Sequence, residues 1–346
     1  MTIAIRVDGN SEIATGHIMR CLAIANGLKK KGHECRFIVA DDNSELLLSN
    51  LGFPIINLHS AWNHLESELS ELTEVILQNK IHKLIVDTYF VTDTYLSALE
   101  KICKVIYIDD LNSFRYPVSV VVNYNLYGLD IPYSKIYLET NTKLLLGPKY
   151  APLREEFQNI NASFRNTVQK ILITAGGADT YNAAGQIIAK VVADVFFKGI
   201  EFHVVAGRLN SHIEELKTMA DTYPSIVIHQ NVHKMSELML ECDIAVTAGG
   251  STMYELCACG VPSICFSWAN NQLSGVKAFS ERELMKSAGD IRDNREKCIQ
   301  QIIVHLKDYI TNTERRKIHS SNLRKITDGY GAKRLADAIV DISLLM

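Results

Sequence analysis

His17 closes a glycine- and acid-rich loop, Arg6-Val-Asp-Gly-Asn-Ser-Glu-Ile-Ala-Thr-Gly-His17, at or beside the first turn of the helix that follows. The positive end of a helix dipole disfavours imidazolium, so a neutral imidazole there could take a proton from water near pH 7. The same place also suits a histidine that merely caps the helix. Asp8 and Asp87 both end apolar runs; either could orient His17, and either could be a loop cap.

A second constellation is Cys242-Asp-Ile-Ala-Val-Thr-Ala-Gly-Gly-Ser-Thr-Met-Tyr-Glu-Leu-Cys-Ala-Cys-Gly-Val-Pro262, in which an apolar run meets Gly249-Gly250-Ser251-Thr252 and a helix starts at once. Glycines let backbone N–H groups approach an anion, Ser251 and Thr252 add hydroxyl donors, and the helix dipole favours a phosphate. Glu255, one turn in, could accept both hydroxyls of a ribose; Thr252-x-x-Glu255 fits a capping box equally well. Gly176-Gly177-Ala-Asp179 is another glycine-rich turn, but GxGxxG and GxxxxGK[ST] spacings are absent, so dinucleotide and Walker-type readings fall away. Val232-His-Lys-Met235 could shelve a base against apolar surface or begin a core helix. Asn270-Asn271-Gln272 carries amides suited to sugar hydroxyls or N-acyl groups, or simply exposed after a strand. Cys257-x-Cys259 falls inside a helix and finds no His or Cys partners at metal-ligand spacing, so neither a metal nor a cofactor is expected.

These residues need elements to hold them. Short apolar runs alternate with longer amphipathic segments, the pattern of βαβ units on parallel sheets. Strands are predicted at 3–7, 35–39, 84–86, 105–108, 118–122 and 144–146, with helices at 17–30, 62–78 and 94–102. A turn-rich stretch, Gly147-Pro-Lys-Tyr-Ala-Pro152, and the polar run 158–167 read as a connection. A second series has strands at 170–174, 202–205, 226–229, 244–247 and 263–266, and the chain ends helically at 298–310 and 333–345. The expected fold class is α/β, with a Rossmann-like domain at 1–157 carrying His17, a second at 168–330, and a C-terminal helix in 331–346. In doubly wound sheets ligands sit beyond the carboxyl ends of the strands, so a cleft between two facing domains is the expected site.

Composition narrows the rest. The chain has 346 residues, enough for two self-sufficient cores, and Lys+Arg 36 against Asp+Glu 39 leaves a formal charge of −3. Near-neutrality removes bulk electrostatics as a reason to expect nucleic acid or an anionic membrane as partner. No apolar run is long enough for a membrane span, and the N-terminus has no signal-peptide core. The 8 cysteines show no paired CxxC spacing, and several lie in apolar runs. Buried thiols in a reducing compartment, the cytoplasm, are expected.

In this order the motifs resemble the glycosyltransferase-B (GT-B) architecture, whose C-terminal domain grips a UDP-sugar. More closely, Arg6-x-Asp8…Gly16-His17-x-x-Arg20 is similar to the N-terminal signature of the UDP-2,4-diacetamido-2,4,6-trideoxy-β-L-altropyranose hydrolases of the pseudaminic acid pathway. Asp87-x-Tyr89, Ile108-Asp-Asp-Leu111, Asn123-x-Asn125-x-Tyr127 and Gly147-x-x-Tyr150-Ala-x-x-Arg154-Glu-Glu-Phe157 match that family as well. So do Gly176-Gly-x-Asp179, Ser251-x-x-x-Glu255, Asn271-Gln272 and the closing Asp328-Gly-x-Gly331. Two positions depart: Ala14 stands where the family usually has glycine, and Thr88 replaces a frequent histidine.

The resemblance implies cleavage at the anomeric carbon with inversion, releasing UDP and free sugar, with His17 as the base that activates water. It implies a nucleotide site at Gly176, Gly177, Val232, Met235, Gly250, Ser251, Thr252 and Glu255. Substrate contacts are expected from Asp8, Asp87, Tyr89, Asn125, Arg154, Asn271 and Gln272, with Arg154 reaching the diphosphate. The expected partner is a small-molecule UDP-sugar, with no nucleic acid and no membrane insertion; the sequence leaves the oligomeric state open. A GT-B glycosyltransferase acting on a lipid-linked acceptor would share the Gly250–Glu255 segment. It would want an apolar or basic surface where this chain has Asp41-Asp42-Asn-Ser-Glu45. A non-catalytic nucleotide-sugar-binding subunit would need the second constellation but not His17 with Asp8 and Asp87.

Overall fold

The computed structural model describes residues 1–10, 13, 15–207 and 209–343, so Ala14 and the end of the expected C-terminal helix lie outside the described residues. The chain divides into two compact units, one of residues 1–154 and 330–346, the other of 155–329.

In unit 1 the described residues form a parallel sheet from β1 (Thr2–Val7), β2 (Glu34–Val39), β3 (Ile55–Asn57), β4 (Ile81–Asp87), β5 (Lys104–Ile108), β6 (Val120–Asn123) and β7 (Lys143–Leu146). Its order is β3-β2-β1-β4-β5-β6-β7, so the chain reverses direction across the sheet between β1 and β4. Helices α1 (Gly16–Lys30), α2 (Asp42–Leu48), α3 (Leu69–Gln78), α4 (Asp93–Glu100) and α5 (Tyr133–Ile136) connect these strands. Ile3, Ala4 and Ile5 of β1 and Leu84, Ile85 and Val86 of β4 are fully buried. Strands covered on both faces read as unbroken apolar runs, which is why they were legible.

Three features were not. The Asp41 carboxylate accepts from the Ser44 amide and caps α2, so the acidic segment after β2 is a helix start. The edge strand β3 is three half-buried residues. The helix expected at 62–78 begins with a separate 3₁₀ turn at Leu65–Glu68, whose Glu68 carboxylate is drawn into the core by Arg6. That guanidinium, fully buried on β1, donates to Glu68 through Nε (2.7 Å) and Nη2 (2.8 Å), and to Asp8 through Nη1 (2.5 Å). Tyr95 and Ser60 hydroxyls also donate to Glu68. Removing one partner of such a pair strands the other charge in the core. Glu68→Ala is therefore expected to cost ~3–5 kcal/mol of stability, read as a lowered urea midpoint.

The segment 331–346, counted separately from sequence, belongs to unit 1 as α13 (Gly331–Val340). Gly27 of α1 meets Ala332 and Ala336, and a Cβ on Gly331 would stand 2.0 Å from the Ala151 carbonyl oxygen. The buried Lys83 ammonium donates to the carbonyls of Ile339 (2.7 Å), Val340 (2.9 Å) and Ile342 (2.7 Å) at the end of α13. A cation at a helix C-terminus satisfies the unpaired carbonyls and the dipole together.

Unit 2 repeats the plan with β8 (Lys170–Thr174), β9 (Glu201–Ala206), β10 (Ile226–Gln230), β11 (Ile244–Ala248), β12 (Ser263–Ser267) and β13 (Lys286–Asp290), ordered β10-β9-β8-β11-β12-β13. Its helices are α6 (Ala183–Val192), α7 (Ile213–Thr222), α8 (Met235–Glu241), α9 (Thr252–Cys259), α10 (Asn270–Glu281), α11 (Arg295–Thr311) and α12 (Thr313–Leu323). The strand β13, Lys-Ser-Ala-Gly-Asp, has no apolar run and was invisible to the pattern. All eight cysteines are buried and unpaired. Among the described residues, no helix is long and apolar enough to cross a membrane.

Candidate active site

His17 is the second residue of α1, and its neighbour across the sheet decides what it can do. Asp87 ends β4, in register with Val7 of β1. Its Oδ1 lies 2.6 Å from His17 Nδ1. A carboxylate at that distance holds the proton on Nδ1 and leaves Nε2 as the ring's proton acceptor. Asp8, the other carboxylate that could orient the ring, makes no hydrogen bond or ion pair with His17. It takes Arg6 on Oδ2 and the Ala40 amide on Oδ1 (2.7 Å), which ties β1 to β2. Burial pushes the Asp8 carboxyl up, with Arg6 opposing.

Arg20, one turn along α1, grips Asp87 with Nε (2.7 Å) and Nη2 (2.5 Å). Its Nη2 also comes 3.1 Å from His17 Nδ1. Burial alone would push the Asp87 carboxyl up, but the charge of Arg20 and the hydrogen bonds from Arg20 and His17 hold it well below the usual range. Cys21 Sγ donates weakly to Asp87 Oδ2 at 3.2 Å. The Tyr89 ring stands edge-on to the imidazole, with centroids 4.7 Å apart. Asp110, two residues past β5, accepts from Tyr89 OH (3.1 Å) and Asn125 Nδ2 (2.8 Å) and forms an ion pair with Arg20 Nη1 (2.8 Å). His17, Asp87, Tyr89 and Asn125 are thus brought to one end of one sheet. Arg20 and Asp110 fall within the sequence motifs, with no local signal that sets them apart. Only the pairing of α1, β4 and β5 reveals them.

In unit 2 the Gly249-Gly250-Ser251-Thr252 turn links β11 to α9. The Gly249 and Gly250 amides are committed to the carbonyls of Phe266 and Ala248, each at 2.8 Å. Anion donors there fall to Ser251 and Thr252, in the first turn of α9. Ser251 is the N-cap and makes no side-chain cap, and Thr252 lies inside the helix. The Thr252-x-x-Glu255 capping box, which needs Thr252 outside it, is not formed. A Cβ on Gly249 would stand 2.5 Å from Val276 Cγ2, whereas one on Gly250 meets nothing within 4 Å. The turn therefore presses against α10 at Gly249 and is open at Gly250.

Gly176 follows β8 with φ of +88°, a conformation that disfavours side chains. The Gly177 backbone abuts Gly207, where a Cβ would come within 2.3 Å of the Gly177 oxygen. Met235 opens α8 and is 7% exposed, as a core helix start would be, while Val232 is half-buried in the preceding loop. Gln272 is buried, its Oε1 accepting from the Trp268 amide at 3.0 Å, and Asn271 beside it on α10 is half-buried. Arg154, half-buried, is the last residue of unit 1 before the chain enters unit 2. Among the described residues no group of three or more His, Cys, Asp or Glu side chains is placed to hold a metal ion.

The two parallel sheets make the chain an α/β protein of the GT-B fold. MurG of Acinetobacter baumannii superposes with a TM-score of 0.68 at 14% identity, covering 99% of each chain. MnaA of S. aureus, in a co-structure with UDP, superposes at 0.66 with 12% identity, covering 98% of this chain and 95% of that one. No protein-family model matches. Among curated sequences the chain is 26% identical over 357 residues to an uncharacterized protein, MJ1062, of Methanocaldococcus jannaschii (97% of this chain, 68% of the other). It is 25% identical over 354 residues to the spore coat polysaccharide biosynthesis protein SpsG of Bacillus subtilis (99% and 98%). To the UDP-2,4-diacetamido-2,4,6-trideoxy-β-L-altropyranose hydrolase of Campylobacter jejuni it is 23% identical over 270 residues (77% and 92%).

Proposed function

We propose that this protein hydrolyses a UDP-linked 2,4-diacetamido-2,4,6-trideoxy sugar at the anomeric carbon, with inversion. The names of its relatives support a role in processing nucleotide sugars. The observation that carries hydrolysis is the His17–Asp87 pair, a histidine whose Nδ1 is engaged by a buried carboxylate at 2.6 Å and whose Nε2 is thereby the base. Water attacks the anomeric carbon from the side opposite the diphosphate, and its proton passes to Nε2. The bond from that carbon to the phosphate oxygen breaks, and UDP departs with the electron pair. The imidazolium then returns its proton to solvent.

The reading assigns the nucleotide to the α9 turn of unit 2. Ser251 and Thr252 donate to the diphosphate where negative charge gathers, Glu255 takes the ribose, and Arg154 adds positive charge. Gly176, Gly177, Val232 and Met235 complete that end. Tyr89, Asn125 and Asn271 are assigned to the sugar, with Asp87 acting through His17; Asp8 and Gln272 support these loops from behind.

The open space at Gly250 allows a clean test of the nucleotide site. Gly250→Ala is expected to keep the wild-type melting temperature and to weaken UDP binding about tenfold, or ~1.4 kcal/mol, by calorimetry. Gly249→Ala, which meets Val276, is expected to lower the melting temperature instead.

The reaction itself is tested by following UDP release and the product's NMR spectrum with the 2,4-diacetamido UDP-sugar, without any acceptor. UDP-N-acetylglucosamine serves as control. Release of free inverted sugar from the first substrate alone is the expected result. Tight UDP binding without acceptor-independent turnover would instead favour a glycosyltransferase.

A further inference from the structure

Arg20 poses an electrostatic problem for the base. It pairs with both oxygens of Asp87, so the hydrogen-bonded set His17, Asp87 and Arg20 is already neutral before a proton arrives. Taking up that proton would leave a net positive charge in a site where His17 is 5% exposed and Arg20 side-chain exposure is 6%. Burying an uncompensated charge is costly.

The missing charge is on Asp110. Its carboxylate, 7% exposed, lies 2.8 Å from Arg20 Nη1 and receives the hydroxyl of Tyr89, whose ring borders the imidazole. With Asp110 counted, the cluster carries −1 while His17 is neutral and reaches zero when His17 holds the proton. The preceding residue cannot do this. Asp109 turns onto Tyr116 and the amides of Leu111 and Asn112 and shapes the loop.

We propose that Asp110 is a positioning residue that acts through Arg20 as the counter-charge to the imidazolium formed in the reaction. It also holds Tyr89 and Asn125 in place. The inference rests on the hydrolase reading above. Among the described residues, Arg20 on α1, Asp87 at the end of β4 and Tyr89 just beyond face His17; Cys21 reaches it through Asp87, and Asp110 and Tyr124 reach it through Arg20.

The test compares kcat across pH for wild type, Asp110→Asn and the double variant Arg20→Gln/Asp110→Asn. Removing the Asp110 charge makes protonation of the cluster less favourable. Asp110→Asn is thus expected to lower kcat ~10–100-fold and to move the acidic limb of the rate profile to lower pH. The double variant restores the wild-type charge count and should turn over faster than Asp110→Asn. It also supplies the comparison with wild type if the single variant does not fold, since its limb should then stay where the wild-type limb lies.

A fall in kcat with an unmoved limb for Asp110→Asn, or a double variant no faster than that single one, would overturn the assignment while His17-dependent turnover upheld the hydrolase reading. The same holds if the single variant cannot be made and the double variant's limb moves. If the wild type shows no His17-dependent turnover, the reading fails and the assignment fails with it.

Discussion

His17→Ala should bind UDP within about twofold of wild type and lose ~100–10,000-fold in turnover, equivalent to ~3–5 kcal/mol of barrier. The two readouts separate because the donors assigned to the diphosphate stand on α9 in unit 2, while His17 stands on α1 in unit 1. A base acts only as the proton moves, so its loss falls on kcat rather than on ground-state binding. The measurement is single-turnover UDP release alongside calorimetric UDP titration. Equal losses in both would mean that His17 supports the fold or the ligand, and would remove it as the base.

Asp87→Asn should cost nearly as much, up to ~10,000-fold in kcat, by a different route. An amide facing Nδ1 can offer its N–H₂ group, which places the ring proton on Nε2 and turns the base into a donor. The substitution also leaves Arg20 facing a neutral group, although Asp110 still balances part of its charge. Because the Asp87 carboxyl is held well below the usual range, its stabilising contribution is present at neutral pH and lost only as pH falls through that lowered value. Activity lost near pH 6 in the wild type is therefore not Asp87 taking up a proton. Thermal melts of Asp87→Asn, run beside the kinetics, distinguish a tautomer effect from unfolding. A variant that is folded and active at wild-type rate would refute the dyad.

Local pattern carried a good part of this protein. The βαβ alternation, the strands of both sheets that are apolar throughout, and the helix that begins just before His17 are properties of short windows, where period and capping chemistry act within a few residues. The Gly-Gly-Ser-Thr turn before α9 was legible for the same reason. Strands without an apolar run were not, as β13 illustrates, nor was α13's attachment to unit 1 through Lys83 and Gly331.

The sequence left three choices open, and tertiary structure decided the contacts that bear on them. Asp87 rather than Asp8 meets His17, because β4 lies beside β1 with Asp87 opposite Val7, while Arg6 and the Ala40 amide claim Asp8. Glu255 is not part of a capping box, because the helix begins one residue earlier than Thr252-x-x-Glu255 requires. Arg20 joins Asp87 to Asp110 because its guanidinium, carried on α1, reaches the carboxylates that stand at and just past the carboxyl ends of β4 and β5. The sequence by itself determined which residues could do chemistry and which strand ends carry them. Which carboxylate faces which base was decided by strand order and register, because a buried charge takes the partner that the sheet sets beside it rather than the one nearest along the chain.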